Sequence, residues 1–339
     1  MIPSIPGVAP LSVGWVDVVD HLVAERGSLA EVARALMDAT PSSAGLPTDP
    51  TTVERGLRRL RQRHNAEGDK YGRAILRAFG MPASISEWAR ALGQYHSRLS
   101  DLSVPVRQDL LRLWDRPPIS ESKSAIWIHL AIATLAHRTK DHEQMTHRLQ
   151  LGRQGLPLAE PAARMEAFLF EARLTNTPEP FLDRASTELP LLPTGSTDRL
   201  CYEARIFDQR AYHAARNSSG RVVRPEAARA WYARIDSNGP PFVRFRRTHG
   251  LAWCAHRLGN KAEAVRMAED AVSAAGDGGL LRFRCMALTL LGQISRETSA
   301  LSRALWLAQE LQDDALIQKV QRALRFAGSS RASIPPRSG

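Results

Sequence analysis

The stretch LAWCAHRLGNKAEAVRMAEDA, residues 251–271, decides how the chain is read. Leu251 and Ala252 fall on one helical stretch, Gly259 interrupts it, and Ala264 and Ala271 fall on the next. The same placing returns in LGQISRETSALSRALWLAQEL, residues 291–311. There Leu291, Gly292, Ala304 and Leu311 take the corresponding positions at a constant offset of 40 residues. Small residues at fixed places have a physical use: a bulky side chain at a helix crossing pushes the axes beyond the usual 8–10 Å.

Working outward, the region from about 120 to 327 alternates long helical patterns with short turns. Helix pairs are expected at about 121–155, 157–190, 197–236, 241–276 and 279–312, followed by a closing helix to Ala327. The spacing is close to forty residues, within the range of helical repeats. On Leu251, Ala252, Gly259, Ala264, Ala271, Leu291, Gly292, Ala304 and Leu311 the pattern resembles the tetratricopeptide (TPR) family. Trp127, Leu130 and Ala131 resemble the opening of a TPR first helix, although the partner helix offers Glu143 where a small residue belongs. A longer turn around Asn217-Ser218-Ser219-Gly220, flanked by Arg216, Arg221 and Arg224, reads as a tolerated insertion or a binding loop. A TPR array and a generic α-α repeat imply the same architecture and use, a superhelix whose curved surface receives a protein or peptide partner.

Toward the N-terminus the pattern changes. Trp15, Val18, Val19, Leu22 and Val23 recur at helical spacing before Gly27. Ser28-Leu29-Ala30-Glu31 has the form of a capping box and opens a second helix. A linker from Thr40 to Pro50 follows, then Thr51-Thr52-Val53-Glu54, a second capping box, opens a third helix expected to reach about His64. On a helical wheel Val53, Leu57, Leu60 and His64 share one face, while Thr52, Arg55, Arg58, Arg59 and Gln62 lie largely on the other. Residues 51–80 carry eight basic side chains against three acidic ones, whereas residues 1–50 carry two against six, so positive charge begins abruptly at this helix.

The third helix resembles the recognition helix of a helix-turn-helix, whose N-terminal residues meet base edges in the major groove. That resemblance implies Thr51, Thr52, Arg55 and Arg58 at the bases and Arg59, Arg61 and Arg63 on phosphates, with duplex DNA as the partner. The chain departs from the pattern in its link of about eleven residues where three or four are usual, and in Gly56 at mid-helix. A solvated basic face and an acidic protein partner are the competing readings. If four or five of these arginines neutralise phosphates, log K against log salt falls with a slope near −4, at about −0.9 per phosphate.

Between these regions, residues 67–118 read as a connector of three helices, roughly Asp69–Phe79, Ser84–Leu99 and Val104–Trp114, with a third capping box at Ser84-Ile85-Ser86-Glu87. The expected fold is therefore all-α. A flexible arm (1–12) precedes a three-helix, helix-turn-helix-like bundle (13–66) and the connector (67–118); a TPR-like α-α superhelix (119–327) and a disordered tail (328–339) follow.

Composition bounds the function. A net charge of +11 and a pI near 10.3 point to an anionic partner, or simply to an arginine-rich composition. Cys201, Cys254 and Cys285 are far apart and lack CxxC spacing, which argues for a reducing compartment and against disulfides or zinc. Met1 to Ser12 holds three prolines and no basic residue, unlike a signal peptide, and no apolar run is long enough to cross a membrane. A cytoplasmic protein is expected. Phosphate-loop, GxSxG and HExxH motifs are absent. His137, His142 and His147, spaced by five, point about 140° apart on a helix and do not converge on a metal. The seven tryptophans, at helical positions, read as core. Neither catalysis nor a cofactor is expected. The leading reading is a regulator that binds DNA through its third helix and a partner through the repeats. The alternatives are a TPR-type scaffold without a DNA role and a small-molecule or peptide sensor between the connector and the first repeat.

Overall fold

Several helices begin where a side chain accepts their free N–H groups, and several turns between helices pass through a left-handed residue. The computed structural model describes residues 12–40, 45–216 and 220–332, with side chains through 327. Among these residues there are seventeen α-helices and no strand beyond an isolated bridge between Arg216 and Val222. No helix among them is long and apolar enough to cross a membrane. Apart from Ser12, the expected arm lies outside the described residues, as do Asn217–Ser219 of the long turn and residues 333–339 of the expected tail.

Six helices precede the hairpin array: α1 Trp15–Arg26, α2 Leu29–Ala39, α3 Pro50–Arg61, α4 Lys70–Ala78, α5 Ala83–Gly93 and α6 Val104–Trp114. Gly27, at φ +90, stops α1, and Ser28 Oγ accepts the Glu31 amide at 3.2 Å to start α2. Helices α1, α2 and α3 pack on one another, and α4 closes on α2 and α3. The fully buried Trp15 ring centres this group, its indole N–H donating to Ala66 O at 3.0 Å. Gly68 and Gly72 lie so close to that ring that a Cβ on either would come within 3 Å of it.

Of the three expected capping boxes only the serine half of the first forms, and the other two are not formed. The cap of α3 falls two residues early, because Asp49 takes it and Pro50 occupies the first turn, where its missing N–H costs nothing. The Asp49 carboxylate accepts the amides of Thr51 and Thr52 and the Thr52 hydroxyl. Helix α5 starts at Ala83 behind Pro82 with no side-chain cap. At its far end α3 stops at Arg61, and His64 turns to φ 53 and leaves the apolar face assigned to it; its carbonyl accepts the Trp15 amide at 2.9 Å.

Gly56, counted above as a helix weakener, has a packing role. It faces the Tyr71 ring of α4, and a Cβ there would stand 2.2 Å from the ring. Gly56→Ala therefore gains helix propensity yet forces α3 and α4 apart. The expected result is a net loss of about 1–3 kcal/mol in denaturant unfolding; an unchanged or raised midpoint would show that the ring gives way freely.

The array follows as hairpins α7 Ala125–Thr139 with α8 His142–Gly155, α9 Pro161–Leu174 with α10 Glu179–Glu188, and α11 Thr197–Ala214 with α12 Pro225–Ala233. Then come α13 Pro241–Arg257 with α14 Lys261–Asp277, α15 Leu281–Ser295 with α16 Thr298–Glu310, and the last helix, α17 Asp314–Ala332, which carries on past the expected end at Ala327. The turns share a construction. The amides of Asp141, Asn260 and Asp313 reach back to the carbonyls of Ala136, Ala255 and Ala308 at 2.9, 2.9 and 3.1 Å. The residue before each, Lys140, Gly259 or Gln312, is left-handed at φ 62, 82 or 48. Two of these ends are near copies, AHRTKD at 136–141 and AHRLGN at 255–260, a repeat signal the sequence reading passed over.

First helices touch in series, α7 on α9, α9 on α11, α11 on α13, α13 on α15 and α15 on α17, and α17 comes back to α7. Six helices laid side by side at 8–10 Å would hold the two ends roughly 40–50 Å apart. The row is therefore bent round until its ends meet. Asp313, at the start of α17, accepts from Arg138 of α7 at 2.7 Å, an ion pair with both side chains almost out of solvent. One apolar core runs unbroken from Val13 to Ile206, so the connector and the first hairpins share it. Of the tryptophans, Trp15, Trp114 and Trp127 are core, Trp88, Trp231 and Trp253 are half-buried, and Trp306 is 59% exposed, against its expected burial.

Candidate functional site

Helix α3 presents its basic face outward because its other face is spent on the bundle. Val53, Gly56, Leu57 and Leu60 are buried, and Thr51, Arg55, Arg58, Arg59, Arg61 and Arg63 are exposed, with Thr52 half-buried. Thr52, Arg55, Arg58 and Arg59 line one open surface hollow.

Carboxylates already attend several of these cations. Arg58 pairs with Glu54 one turn back at 2.5 Å, Arg61 with Asp20 of α1 at 2.6 Å, and Arg63 with Asp69 at 3.7 Å. Arg59 has no carboxylate within pairing distance among the described residues, and Arg55 lies in the field of Asp49. Exposed pairs of this kind are worth about 0–1 kcal/mol, so a phosphate can replace each carboxylate at small cost. The N-terminus of α3 is different. Its free amides, a ready anion site, are taken by Asp49, whose carboxyl is held below its usual range, first by the Thr52 hydroxyl. Contact with an anion through this helix therefore falls to the arginines along its length.

The small residues of the array lie at close crossings. Ala252, Ala264, Ala271, Gly292, Ala304 and Leu311 are buried, Leu251 and Leu291 are half-buried, and Gly259 is exposed at its turn. A Cβ on Gly292 would meet Leu301 at 2.5 Å. The buried thiols of Cys201, Cys254 and Cys285 are pushed up to about 12, 12 and 11 by burial, so they stay protonated. His137 lies edge-on to Phe170, and among the described residues no three metal-ligating side chains gather.

The inner face of the array holds a feature the sequence reading missed. The helix expected to reach Leu99 stops at Gly93, whose backbone is pressed on Trp127, with 2.6 Å between a notional Cβ and the indole ring. Gln94 turns extended, and Tyr95 to Ser103 run along the first helices of the hairpins, with one 3-10 turn at Arg98–Asp101. The Tyr95 hydroxyl accepts from Arg246 Nη2 of α13 at 2.9 Å, and the guanidiniums of Arg205, Arg246 and Arg282 lie 5.0, 5.3 and 4.5 Å from its ring centre. His96 and Gln94 reach Asp198 of α11, and His96 stacks edge-on to Tyr202. Ser100 O accepts from Arg138, Asp101 faces Arg282 at 3.6 Å, and the Val104 amide donates to Leu311 O at 3.0 Å.

Burial alone would raise the Tyr95 hydroxyl, but the charges of Arg246, Arg282 and Arg173 outweigh it and bring it down to about 7. Between pH 7 and 10 the unfolded chain then holds a proton that the native chain has lost, so stability rises with pH across that window. One tyrosine is expected to ionise near pH 7 in ultraviolet difference spectra, and Tyr95→Phe should remove that step. A native titration with no tyrosinate below pH 9 would refute it.

No family model, curated protein or solved structure matches this chain.

Proposed function

We propose that this chain is a binding protein rather than an enzyme, one that holds duplex DNA through α3 and receives a protein or peptide partner on a TPR-type array. In this reading α1, α2 and α3 act as an atypical helix-turn-helix. Its link, from Thr40 to Asp49, is longer than usual, and α3 is the recognition helix. The observation that carries it is the exposure of Arg55, Arg58, Arg59, Arg61 and Arg63 on one helix whose opposite face is buried. Thr51, Thr52, Arg55 and Arg58 lie toward the N-terminal end and take the base-edge positions, while Arg59, Arg61 and Arg63 hold phosphates. The competing reading, a TPR-type scaffold with no DNA role, draws on Glu54, Asp20, Asp69 and Asp49, which already neutralise part of that face.

Binding to a random-sequence duplex at several salt concentrations separates the two. A slope of log K against log salt near −4 supports the DNA reading, since four or five cations then displace counterions at about −0.9 each. Retention that is absent at low salt, or that ignores salt, supports the scaffold.

A further inference from the structure

The inner face of a curved helical array is where a partner segment would lie, and here a segment of the same chain already lies there. Gln94 and His96 touch α11, Tyr95 touches α13, Ser100 touches α7 and Asp101 touches α15, and Val104 reaches the turn before α17. Most of the bonds that hold the segment come from array side chains: Asp198 to Gln94 and His96, Arg246 to the Tyr95 hydroxyl, and Arg138 to Ser100 O. The array grips this stretch as it would a bound peptide.

The fit is polar and incomplete. Both Asp101 carboxylate oxygens, Ser100 Oγ, Nε of Arg138 and Arg246, and Nε and Nη2 of Arg282 are buried without a hydrogen-bond partner. Each such group has given up its hydrogen bonds to water without replacing them, which opposes docking of the segment. The charges show the same imbalance. Glu166 answers Arg205 at 2.5 Å, Asp208 answers Arg246 at 3.0 Å and Asp313 answers Arg138 at 2.7 Å. Among the described residues the carboxylate paired with Arg282 is Asp101, at a distance too long for a hydrogen bond, and it comes from the segment, as does the Tyr95 ring that lies against the same guanidinium.

We propose that residues 94–103 are a tethered occupant of a peptide site: the inner face is a receptor for a partner segment that carries a tyrosine and, six residues on, a carboxylate. The chain's own Tyr95 and Asp101 fill the two places until such a segment displaces them. This rests on reading the array as a receptor for a partner and is independent of the DNA reading.

The probe is a labelled synthetic peptide of residues 93–104, GQYHSRLSDLSV, added to the full chain. A flexible tether supplies its occupant at an effective concentration on the order of millimolar, so the wild-type chain should bind the peptide weakly. The variant Y95A/D101N, with its own occupant loosened, should bind it at least ten-fold tighter, and a peptide carrying the same two changes should bind neither. A variant that keeps its helicity and cooperative melting yet binds no better than wild type would overturn the proposal. Should that variant unfold, hydrogen exchange on the wild-type chain decides. Local release requires the Ser100 and Val104 amides to exchange at least a hundred-fold faster than those inside α13 and α15; exchange only together with those helices overturns it. Duplex binding measured on the same preparations keeps a failure here distinct from a failure of the DNA reading.

Discussion

Glu166→Ala is expected to cost about 3–5 kcal/mol, the largest single-site loss of stability in the array. Glu166 on α9 and Arg205 on α11 are 3% and 6% exposed, and the guanidinium meets the two carboxylate oxygens at 2.5 and 2.8 Å. The Tyr202 hydroxyl adds a longer bond at 3.3 Å. Desolvation pulls the Arg205 guanidinium toward losing its proton, and the adjacent carboxylate more than restores it. Without Glu166 the cation stays buried between the rings of Tyr95 and Tyr202 with nothing to neutralise it. The pair sits where two neighbouring first helices meet, so both lose order together. Replacing both partners by apolar residues, Glu166→Leu with Arg205→Met, removes the stranded charge and should recover most of the loss. Urea unfolding of the two variants checks this. A single variant within about 1 kcal/mol of wild type would mean that water reaches Arg205 from the inner face.

The hairpins were legible because their signals are local. Small residues at 252, 264 and 292 and left-handed stops such as Gly259 mark crossings and turns within forty residues of one another, and the helix limits fall within a few residues of the expected ones. The basic face of α3 was legible for a similar reason, since its apolar and charged positions separate at helical spacing. The errors share a cause as well. Thr51 looked like a cap because its hydroxyl and Glu54 have the right spacing, but Asp49 followed by Pro50 is the stronger start: a carboxylate accepts two amides and the proline ring loses no bond. The helix drawn through Leu99 followed propensity, and propensity lost to tertiary contact. Tyr95, His96 and Asp101 find their partners more than a hundred residues away on α11, α13 and α15. Closure of the row through Arg138 and Asp313, 175 residues apart, has no local signature at all. Interior polar contacts between distant helices are what a periodicity reading has no means to see.

The triple variant R55A/R58A/R59A is expected to lose most duplex binding while keeping its melting temperature. The three side chains are exposed, and the one ion pair among them, Arg58 with Glu54, is worth at most about 1 kcal/mol. On a random-sequence duplex, where no base edge is read, all three cations rest against phosphates, so removing them takes about 2.7 from the magnitude of the salt slope and leaves it near −1 to −2. At a slope near −4, a four-fold rise in salt weakens the wild-type complex by roughly two to three hundred-fold; for the variant the same rise costs only about four- to fifteen-fold. That change of slope is more diagnostic than the affinity, because a scaffold with a merely solvated basic face has no counterions to release on a specific site. Single changes grade the contributions. Arg59→Ala, which removes a cation with no carboxylate partner, should weaken binding more than Arg61→Ala, whose side chain is already engaged by Asp20 at 2.6 Å. Equal effects would show that the surface pairs open freely on the duplex, and the reverse order would move the contact face around α3 toward α1.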